Sequence, residues 1–163
     1  MDALGIRKHV SWDPKRQCFV GYVDYGAESN TEYVASEALV FLVDGIFANW
    51  KQPIAFFLTN GISGFNLSQL LKETLERLHD IGVNVVTLTL DSHQSNQSAV
   101  KKLGACLKGD IRSFFPHPSD ANKKVYVFFD ACHMMKLVRN TLHSFSESNF
   151  GKFSVTPVND LRP

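Results

Sequence analysis

The sequence predicts an α/β domain in which a mixed β-sheet is flanked by α-helices. Strand-like apolar runs dominate the N-terminal third, and two further strands then alternate with segments of helical periodicity. Of the 163 residues, 44% are hydrophobic and 20% are charged, which is typical of a globular protein. Antiparallel strands should therefore come first, followed by crossover helices whose strands add in parallel.

The expected elements follow from runs of one period that are bounded by turn-forming residues. In chain order they are a β-hairpin (9–12 and 18–25), a loop (26–37), two antiparallel strands on either side of 49–52 within 38–60, a helix (66–81), a strand (83–91), a helix (95–103), a loop (109–124), a strand (125–130), a helix (132–144) and an unstructured tail (146–163).

The N-terminal strands are predicted from their residue types and from the turns between them. Asp13-Pro14 is a turn-forming pair and separates the two strands of the first hairpin. The loop that follows is polar throughout. The two runs within residues 38–60 are rich in valine, isoleucine and phenylalanine, and Pro53 would break a helix there. Two mostly buried antiparallel strands are therefore expected.

The first two helices are predicted from spacing and from their end signals. Asn66 is expected to cap the first helix and Gly82 to end it, whereas Ser95 and Gly104 bound the second. The apolar positions of the first helix repeat at helical spacing. They are Leu67, Leu70, Leu71, Leu75 and Leu78.

The later strands are almost continuously apolar, which is typical of strands that are covered on both faces. Pro116 and Pro118 predict that the segment before the last strand is a loop. The last helix offers four apolar side chains to a core, namely Met134, Leu137, Val138 and Leu142. The whole order resembles the RNase H-like fold, although the pattern alone also allows other α/β domains.

Several function classes are excluded by what the sequence lacks. No apolar run approaches the length of about 20 residues that a membrane span needs, and the N-terminus has no signal-peptide core. There is no P-loop motif and no G-x-S-x-G motif. The three cysteines, Cys18, Cys106 and Cys132, form no C-x-x-C pair, which predicts a reducing compartment and neither a disulfide framework nor a structural zinc site.

Aspartates follow several of the predicted strands. Asp91 and Asp130 each end an apolar strand, where α/β proteins place their ligands. Asp24 ends the second strand of the first hairpin, and Asp2 lies in a segment that resembles the tail of a strand. Two or three such carboxylates that converge on one sheet edge can hold Mg²⁺, which prefers oxygen ligands. An isolated aspartate after a strand is more often only a turn former.

Basic residues are concentrated in the later part of the chain. Residues 92–143 contain eight basic and three acidic side chains, whereas residues 1–45 contain four basic and seven acidic ones. A basic surface of this kind suits phosphate contact, and an ordinary solvated surface is the competing interpretation. Within the last helix, three polar side chains share a face at i, i+3 and i+7, and they are available for phosphate contact. They are His133, Lys136 and Asn140.

Four blocks in order give the sequence a family resemblance. They read DALGIRKHVSWDPKRQCFVGYVDYG, SEALVFLVDGIFANWKQPIAFFLTNG, VNVVTLTLDSHQSNQSAVKKLG and VYVFFDACHMMKLVRNTL. Together they resemble the P-element-type transposases, in the branch that is joined to THAP zinc-finger domains. The resemblance covers residues 2–145, and it assigns residues 1–145 to the first part of an RNase H-like transposase domain.

The resemblance implies a DDE-type acidic triad that binds Mg²⁺ or Mn²⁺ and acts on transposon-end DNA in the nucleus. It also implies a homo-oligomer as one form of the protein. It implies Asp2 as the first catalytic acid, with Asp24 as the fallback, and Asp91 as the second. The D-x-x-H-x-x-K-x-x-R-N block of the family corresponds here to a set of candidate DNA or phosphate contacts supported by Asp130. That set is His133, Lys136, Arg139 and Asn140.

The sequence also departs from the family pattern. The GTP-binding insertion of complete relatives, the third acid that follows it, and the THAP zinc finger are all missing from these 163 residues. We therefore expect a fragment of a transposase catalytic domain that is inactive alone. The alternative hypotheses are an inactive domesticated remnant that binds DNA or protein, and a decayed sequence without a function.

Overall fold

A computed structural model describes residues 1–26 and 29–149, and the side chains of residues 29–31 and 145–149 are left undescribed. The chain divides into two compact units, Met1–Asp130 and the segment that begins at Ala131. The strands of the first unit are β1 (Asp2–Gly5), β2 (Ser11–Asp13), β3 (Cys18–Val20), β4 (Tyr22–Asp24), β5 (Ser29–Val34), β6 (Glu37–Asp44), β7 (Lys51–Thr59), β8 (Thr87–Leu90), β9 (Phe114–His117) and β10 (Asp120–Phe129). Its helices are α1 (Gly64–Asp80) and α2 (Gln94–Lys102), and α3 (Ala131–Asn149) belongs to the second unit.

The strands of the first unit form two main sheets and one short hairpin. The five-stranded sheet has the order β1-β6-β7-β4-β5 and is antiparallel throughout. The three-stranded sheet has the order β8-β10-β9, in which β8 and β10 run parallel and β9 runs antiparallel. The predicted α/β architecture is confirmed, with antiparallel strands first and then the parallel strands β8 and β10, which follow α1 and α2 in turn.

Residue Met1 joins the two sheets. Its amino group donates a hydrogen bond to the carbonyl oxygen of Thr89 in β8, at 3.1 Å. Its side chain packs against both buried clusters of the unit, as do Leu88 and Leu103. The start of β1 therefore lies between β6 on one side and β8 on the other.

Helix α1 supplies much of the core through its leucine face. All five predicted leucines are buried, and each contributes about 1.5–3 kcal/mol relative to an exposed side chain. The helix begins one turn earlier than predicted, because Ser63 is the N-cap and its Oγ accepts the backbone N–H of Asn66 at 3.1 Å. Gly82 follows the helix end in the left-handed region, with φ at +85°, as its position in the sequence predicts.

Two segments predicted as loops contain strands. β5 lies inside the polar segment 26–37 and pairs with β4 alone, so it is an edge strand that needs no apolar face. β9 lies inside the segment 109–124 although it includes Pro116, because an edge strand tolerates a proline that a central strand would exclude. The prediction of loops is therefore wrong for both edge strands, because it relied on the polarity of β5 and on the proline of β9.

The strands are less buried than their composition predicts. The β6–β7 hairpin buries Leu39 and Phe41 on one face, whereas Phe56 on the other face is 68% exposed. Similarly, β8 is shorter than the predicted 83–91, and Phe128 of β10 is 55% exposed. The described helices of this unit cover one face of the sheets, so the prediction of burial on both faces is wrong for these strands.

Helix α3 is described by itself. It begins at Ala131 and extends through Asn149, beyond the predicted end at residue 144. The four apolar side chains that were expected to enter a core, Met134, Leu137, Val138 and Leu142, are between 42% and 65% exposed. The predicted tail lies outside the described residues from position 150 onward. Within the described part of the chain, no helix has the length and apolar character that a membrane crossing requires.

Candidate functional site

The carboxyl edge of the parallel pair β8–β10 brings two of the predicted acids together. Leu90 pairs with Phe129 in register, so Asp91 and Asp130 are the next residues on neighbouring strands. The backbone N–H of Asp130 donates to the carbonyl oxygen of Leu90 at 2.9 Å, which continues the ladder to this point. Asp130 is exposed and Asp91 is half-buried.

Asp2 lies on the other side of β8. Because the amino group of Met1 bonds to the carbonyl oxygen of Thr89, the next residue of β1 falls beside the end of β8. Burial lowers the pKa of the Met1 ammonium, and the charges of Asp2 and Asp91 oppose that shift. Both carboxylates thus act on the same amino group, which places them at one edge. We call Asp2, Asp91 and Asp130 the acidic edge.

The carboxylate of Asp91 is held in a fixed orientation by its neighbours. Its Oδ1 accepts the backbone N–H of His93 at 2.8 Å and the side-chain Nδ2 of Asn96 at 2.6 Å. Asn96 lies on α2, is only 9% exposed, and also reaches the carbonyl oxygen of Asp91 at 3.4 Å. Oδ1 is therefore engaged, while Oδ2 has no hydrogen bond among the described contacts.

The turn between β8 and α2 is stabilised by side-chain caps. His93 is the N-cap of α2 and its Nδ1 accepts the backbone N–H of Ser95 at 3.4 Å, where Ser95 itself was the predicted cap. The side-chain Nε2 of Gln97 donates to the carbonyl oxygen of Ser92 at 2.9 Å. These bonds set the direction in which the chain leaves Asp91. The roles of His93 and Asn96 were not predicted, although a polar S-x-x-S-N run after a strand aspartate was visible in the sequence.

Asp24, the fallback for the first acid, lies elsewhere in the fold. It ends β4, which pairs with β5 and β7, so β7 and β6 separate it from β1. Its Oδ1 accepts the backbone N–H of Gly26 at 2.8 Å, as in a simple turn. The structure therefore brings Asp2 and Asp91 to one edge and leaves Asp24 away from it.

The acidic edge provides carboxylate oxygens of the kind that Mg²⁺ prefers, since this ion keeps several waters and needs only one or two protein carboxylates. The described residues contain no group of three or more histidine, cysteine or acidic side chains arranged to hold a metal. Asp2 and Asp91 supply two carboxylates of the kind that such an ion accepts, and the described residues offer no complete triad.

The candidate phosphate contacts of α3 lie on that helix alone. Lys136, Arg139 and Asn140 are exposed and His133 is half-buried. The guanidinium of Arg139 donates from Nε and Nη2 to Oδ1 of Asn140, at 3.3 and 3.2 Å. The helix therefore presents two cationic side chains and a histidine over less than two turns.

The basic pairs of the first unit are partly engaged with neighbours. The ammonium of Lys124 lies 4.6 Å from the centre of the Phe114 ring, and that of Lys102 lies 5.7 Å from the ring of Phe65. Lys123 approaches Asp120 at 3.8 Å. All these contacts are at the surface, so each contributes little to stability and leaves the charge accessible to a polyanion.

Residues 1–104, which include Asp2, Asp24 and Asp91, match the sequence profile of the TNP-like, RNase H N-terminal domain family. The chain belongs to this family. As a TNP-like RNase H N-terminal domain, it is 32% identical to the human DNA transposase THAP9 over 152 residues, which cover 91% of this chain and 17% of THAP9. It is 28% identical to the transposable element P transposase of Drosophila melanogaster over 149 residues, covering 86% of this chain and 18% of that protein.

The TNP-like RNase H N-terminal domain also matches a solved structure. The Drosophila P element transposase strand transfer complex superposes with a TM-score of 0.66 at 25% sequence identity, covering 85% of this chain and 27% of that chain. This likeness confirms the predicted fold and the predicted transposase relationship. The chain spans less than a fifth of the length of the two curated relatives.

Proposed function

We propose that this domain supplies the first two acids of a DDE-type, metal-dependent centre for DNA strand cleavage and transfer, with Asp2 as the first acid and Asp91 as the second. The observation that carries the proposal is the acidic edge. β1 and β8, which are far apart in sequence, bring the charges of Asp2 and Asp91 to the same amino group of Met1, and the carboxylate of Asp91 is oriented by a buried asparagine. A simple turn aspartate requires no such support.

Each residue at the edge has a distinct role in this proposal. Asp2 and the unengaged Oδ2 of Asp91 would hold Mg²⁺ or Mn²⁺, and Asn96 is a positioning residue that acts through Asp91. When bound, such a metal activates the attacking oxygen and stabilises the leaving oxygen of a phosphodiester. Asp130 adds negative charge beside Asp91, which favours cation binding at this edge.

The DNA partner is proposed from the relatives and from charge. Both curated relatives are transposases, and the solved relative was captured in a strand transfer complex. In this chain, Lys136 and Arg139 on α3 and the surface lysines of the first unit offer contacts to phosphates. Such contacts weaken as salt rises, because binding releases counterions from the DNA. A nuclear location follows from this role.

The purified chain should not nick DNA by itself, because its described residues supply two acids of a triad. The test is incubation of a supercoiled plasmid with the chain and Mg²⁺ or Mn²⁺, followed by gel analysis, with Asp91→Asn and Asp24→Asn as matched variants. Metal-dependent nicking that Asp91→Asn abolishes would show that the chain is active alone. That result would contradict the expectation of inactivity and strengthen the assignment of Asp91.

The second candidate function is a binding module without catalysis, which the exposed cationic side chains of Lys136 and Arg139 favour. Filter binding of a labelled DNA duplex over a range of salt concentrations separates the two functions. Salt-sensitive DNA binding that is unchanged by EDTA and by Asp91→Asn supports the binding module. DNA binding that Mg²⁺ strengthens, and that Asp91→Asn weakens while Asp24→Asn does not, supports the catalytic role.

A further inference from the structure

The short hairpin of β2 and β3 carries two exposed aromatic side chains. Trp12 and Phe19 are direct cross-strand partners, so their rings lie on one face of the hairpin, with centroids 5.2 Å apart and planes at 70°. Trp12 is 54% exposed and Phe19 is 61% exposed. We call residues 11–20 the aromatic hairpin. In an edge-to-face pair, each ring keeps at least one face that the other ring does not cover.

Both ends of the aromatic hairpin are tied to the short connection between β5 and β6. Just before the hairpin, the backbone N–H of Ile6 donates to the carbonyl oxygen of Ser36 at 2.9 Å. Just after it, the carbonyl oxygen of Gly21 accepts the backbone N–H of Ala35, also at 2.9 Å. Among the strands of the described residues, β2 and β3 pair only with each other, and no side chain of the hairpin is buried. The root is therefore fixed while the hairpin itself is open to a partner.

The turn of the aromatic hairpin is held by its own side chains. Oδ1 of Asp13 accepts the backbone N–H groups of Lys15 and Arg16, at 2.8 and 3.2 Å. Pro14 fixes the φ angle at the start of the turn. The strands and the aromatic pair are thus positioned before any partner arrives, which reduces the ordering that binding requires.

Cationic side chains surround the aromatic pair. Arg7 and Lys8 precede β2, whereas Lys15 and Arg16 lie at the turn, and all four are exposed. They are all the lysines and arginines of the first 45 residues, a stretch that is otherwise acidic. The positive charge of the N-terminal third is therefore concentrated around this hairpin, which complements a polyanion.

We propose that the aromatic hairpin binds an unpaired stretch of a DNA strand, with a base stacked on Trp12 or Phe19 and the neighbouring cations at the phosphates. Stacking on aromatic rings and a positively charged track for the backbone are the two components of single-strand binding. The bases are unpaired in this proposal because stacking within a duplex covers their faces. The choice of DNA as the nucleic acid rests on the proposed function of the domain.

The size of this surface favours a nucleobase over a protein segment. β2 and β3 have three residues each, and together they expose a single aromatic pair. A stable protein interface needs about 800 Å² from each partner, which is more than such a hairpin offers. A base needs only one ring face, and one stacked base strengthens binding by about tenfold.

The first test uses the two tryptophans of the full chain as reporters. Trp50→Phe leaves Trp12 as the only indole, and Trp12→Phe leaves Trp50, which is 45% exposed. Both variants keep an aromatic ring at each position. Each is titrated in EDTA with an oligothymidylate of about ten nucleotides, a length within common site sizes. We expect the fluorescence to fall by about half where Trp12 is retained and by less than about a tenth where Trp50 is retained, because only Trp12 stacks on a base.

The second test compares affinities for the same oligothymidylate by fluorescence anisotropy. Trp12→Ala should weaken binding about tenfold, and Trp12→Phe should stay within about twofold of the wild type. Phe47→Ala removes a fully exposed aromatic ring from the connection between β6 and β7, and this matched control should bind as the wild type does. Lys15→Gln should lower the slope of log affinity against log salt concentration by about 0.7, which corresponds to one phosphate contact.

Equal quenching in the two single-tryptophan variants, or an affinity that Trp12→Ala leaves unchanged, would overturn the proposal. Equal losses for the oligothymidylate and for a duplex of the same length in Trp12→Ala would also overturn it, because stacking on an unpaired base would then have no part. These measurements need no metal, and Asp91→Asn should bind the oligothymidylate as the wild type does. Failure of the hairpin proposal therefore leaves the role of Asp2 and Asp91 standing, and failure of that role leaves the stacking measurable.

Discussion

The ends of strands β8 and β4 carry the same local motif in two different sheets. In each, an aspartate accepts the backbone N–H two residues later through Oδ1, at 2.8 Å for both Asp91 and Asp24. Asp24 lies between two antiparallel neighbours and has no further contact of its carboxylate among those described. Asp91 ends a parallel strand, receives the Asn96 side chain, and lies near Met1 and Asp2.

The difference shows that the environment of an aspartate after a strand depends on the sheet and helices around it. The turn needs only the aspartate and the two residues that follow. The acidic edge needs a parallel neighbour, a helix that returns a buried amide to the carboxylate, and a distant strand. Changes at these contacts should therefore affect β8 and β4 in different ways.

Loss of the Asn96 amide should have the largest effect. In Asn96→Ala, the free energy of unfolding should fall by about 2 kcal/mol, because a buried hydrogen bond to a charged carboxylate is lost. Urea unfolding followed by circular dichroism measures it. Gln94→Ala, at an exposed position on the same helix, is the control and should change stability by less than about 0.5 kcal/mol. Equal losses in both variants would mean that the amide does not support Asp91.

The β4 turn should depend on its glycine. Gly26 has φ at +90°, a conformation that L side chains rarely adopt, and an added Cβ would meet Phe57 only at an ordinary 3.7 Å. Gly26→Ala should therefore destabilise the fold by about 1 kcal/mol through backbone strain. The same unfolding measurement applies. Metal binding should be unaffected, and a loss of metal binding in this variant would contradict the separation of the two strand ends.

The smallest effect concerns pH and belongs to the sheet that contains β8. His117 is 2% exposed, and burial lowers its pKa, with smaller contributions in the same direction from His79 and Lys123 that Asp120 and Glu76 oppose. The unfolded chain then binds more protons than the folded one just below the ordinary histidine pKa of about 6.5. Stability should be full above that pH and should decrease as the pH falls towards the lowered pKa of the folded state.

The measurement is urea unfolding at pH 7.5 and at pH 5.5 for the wild type and for His117→Gln. The variant removes this proton uptake, so its stability should change less between the two conditions. Gln94→Ala, which removes no titratable group, should leave the pH dependence as it is. An unchanged pH dependence in His117→Gln would show that other groups govern it.

Much of the fold could be predicted because its local signals agree with its packing. The leucines of α1 and the terminating Gly82 are local features, and burial confirms them. The two edge strands were missed because they lack the apolar composition that identifies central strands, as Pro116 in β9 illustrates. The exposure of Phe56 was missed because composition cannot show which face of a sheet a helix covers.

The candidate site could be predicted only in part. Asp91 was visible because it ends an apolar strand, and Asp2 was implied by the family resemblance. The contact that distinguishes Asp91 from Asp24 is made by Asn96, five residues away on a helix whose N-cap was assigned to Ser95. The observed cap, His93, lies two residues before the predicted one, so Asn96 belongs to the first turn of α2 and not to the position after its cap, and its contact with Asp91 could not be read from spacing.

The most direct test of the two-carboxylate site is a Mn²⁺ titration of the ¹⁵N-labelled chain, in which paramagnetic broadening of amide signals reports the position of the ion. Signals of residues 2–3 and 90–93 should broaden at the lowest Mn²⁺ concentrations and those of residues 24–26 should not. Asp91→Asn should abolish this selective broadening, and Asp24→Asn should preserve it. Broadening that is centred on Asp24, or that persists unchanged in Asp91→Asn, would contradict a cation site between Asp2 and Asp91.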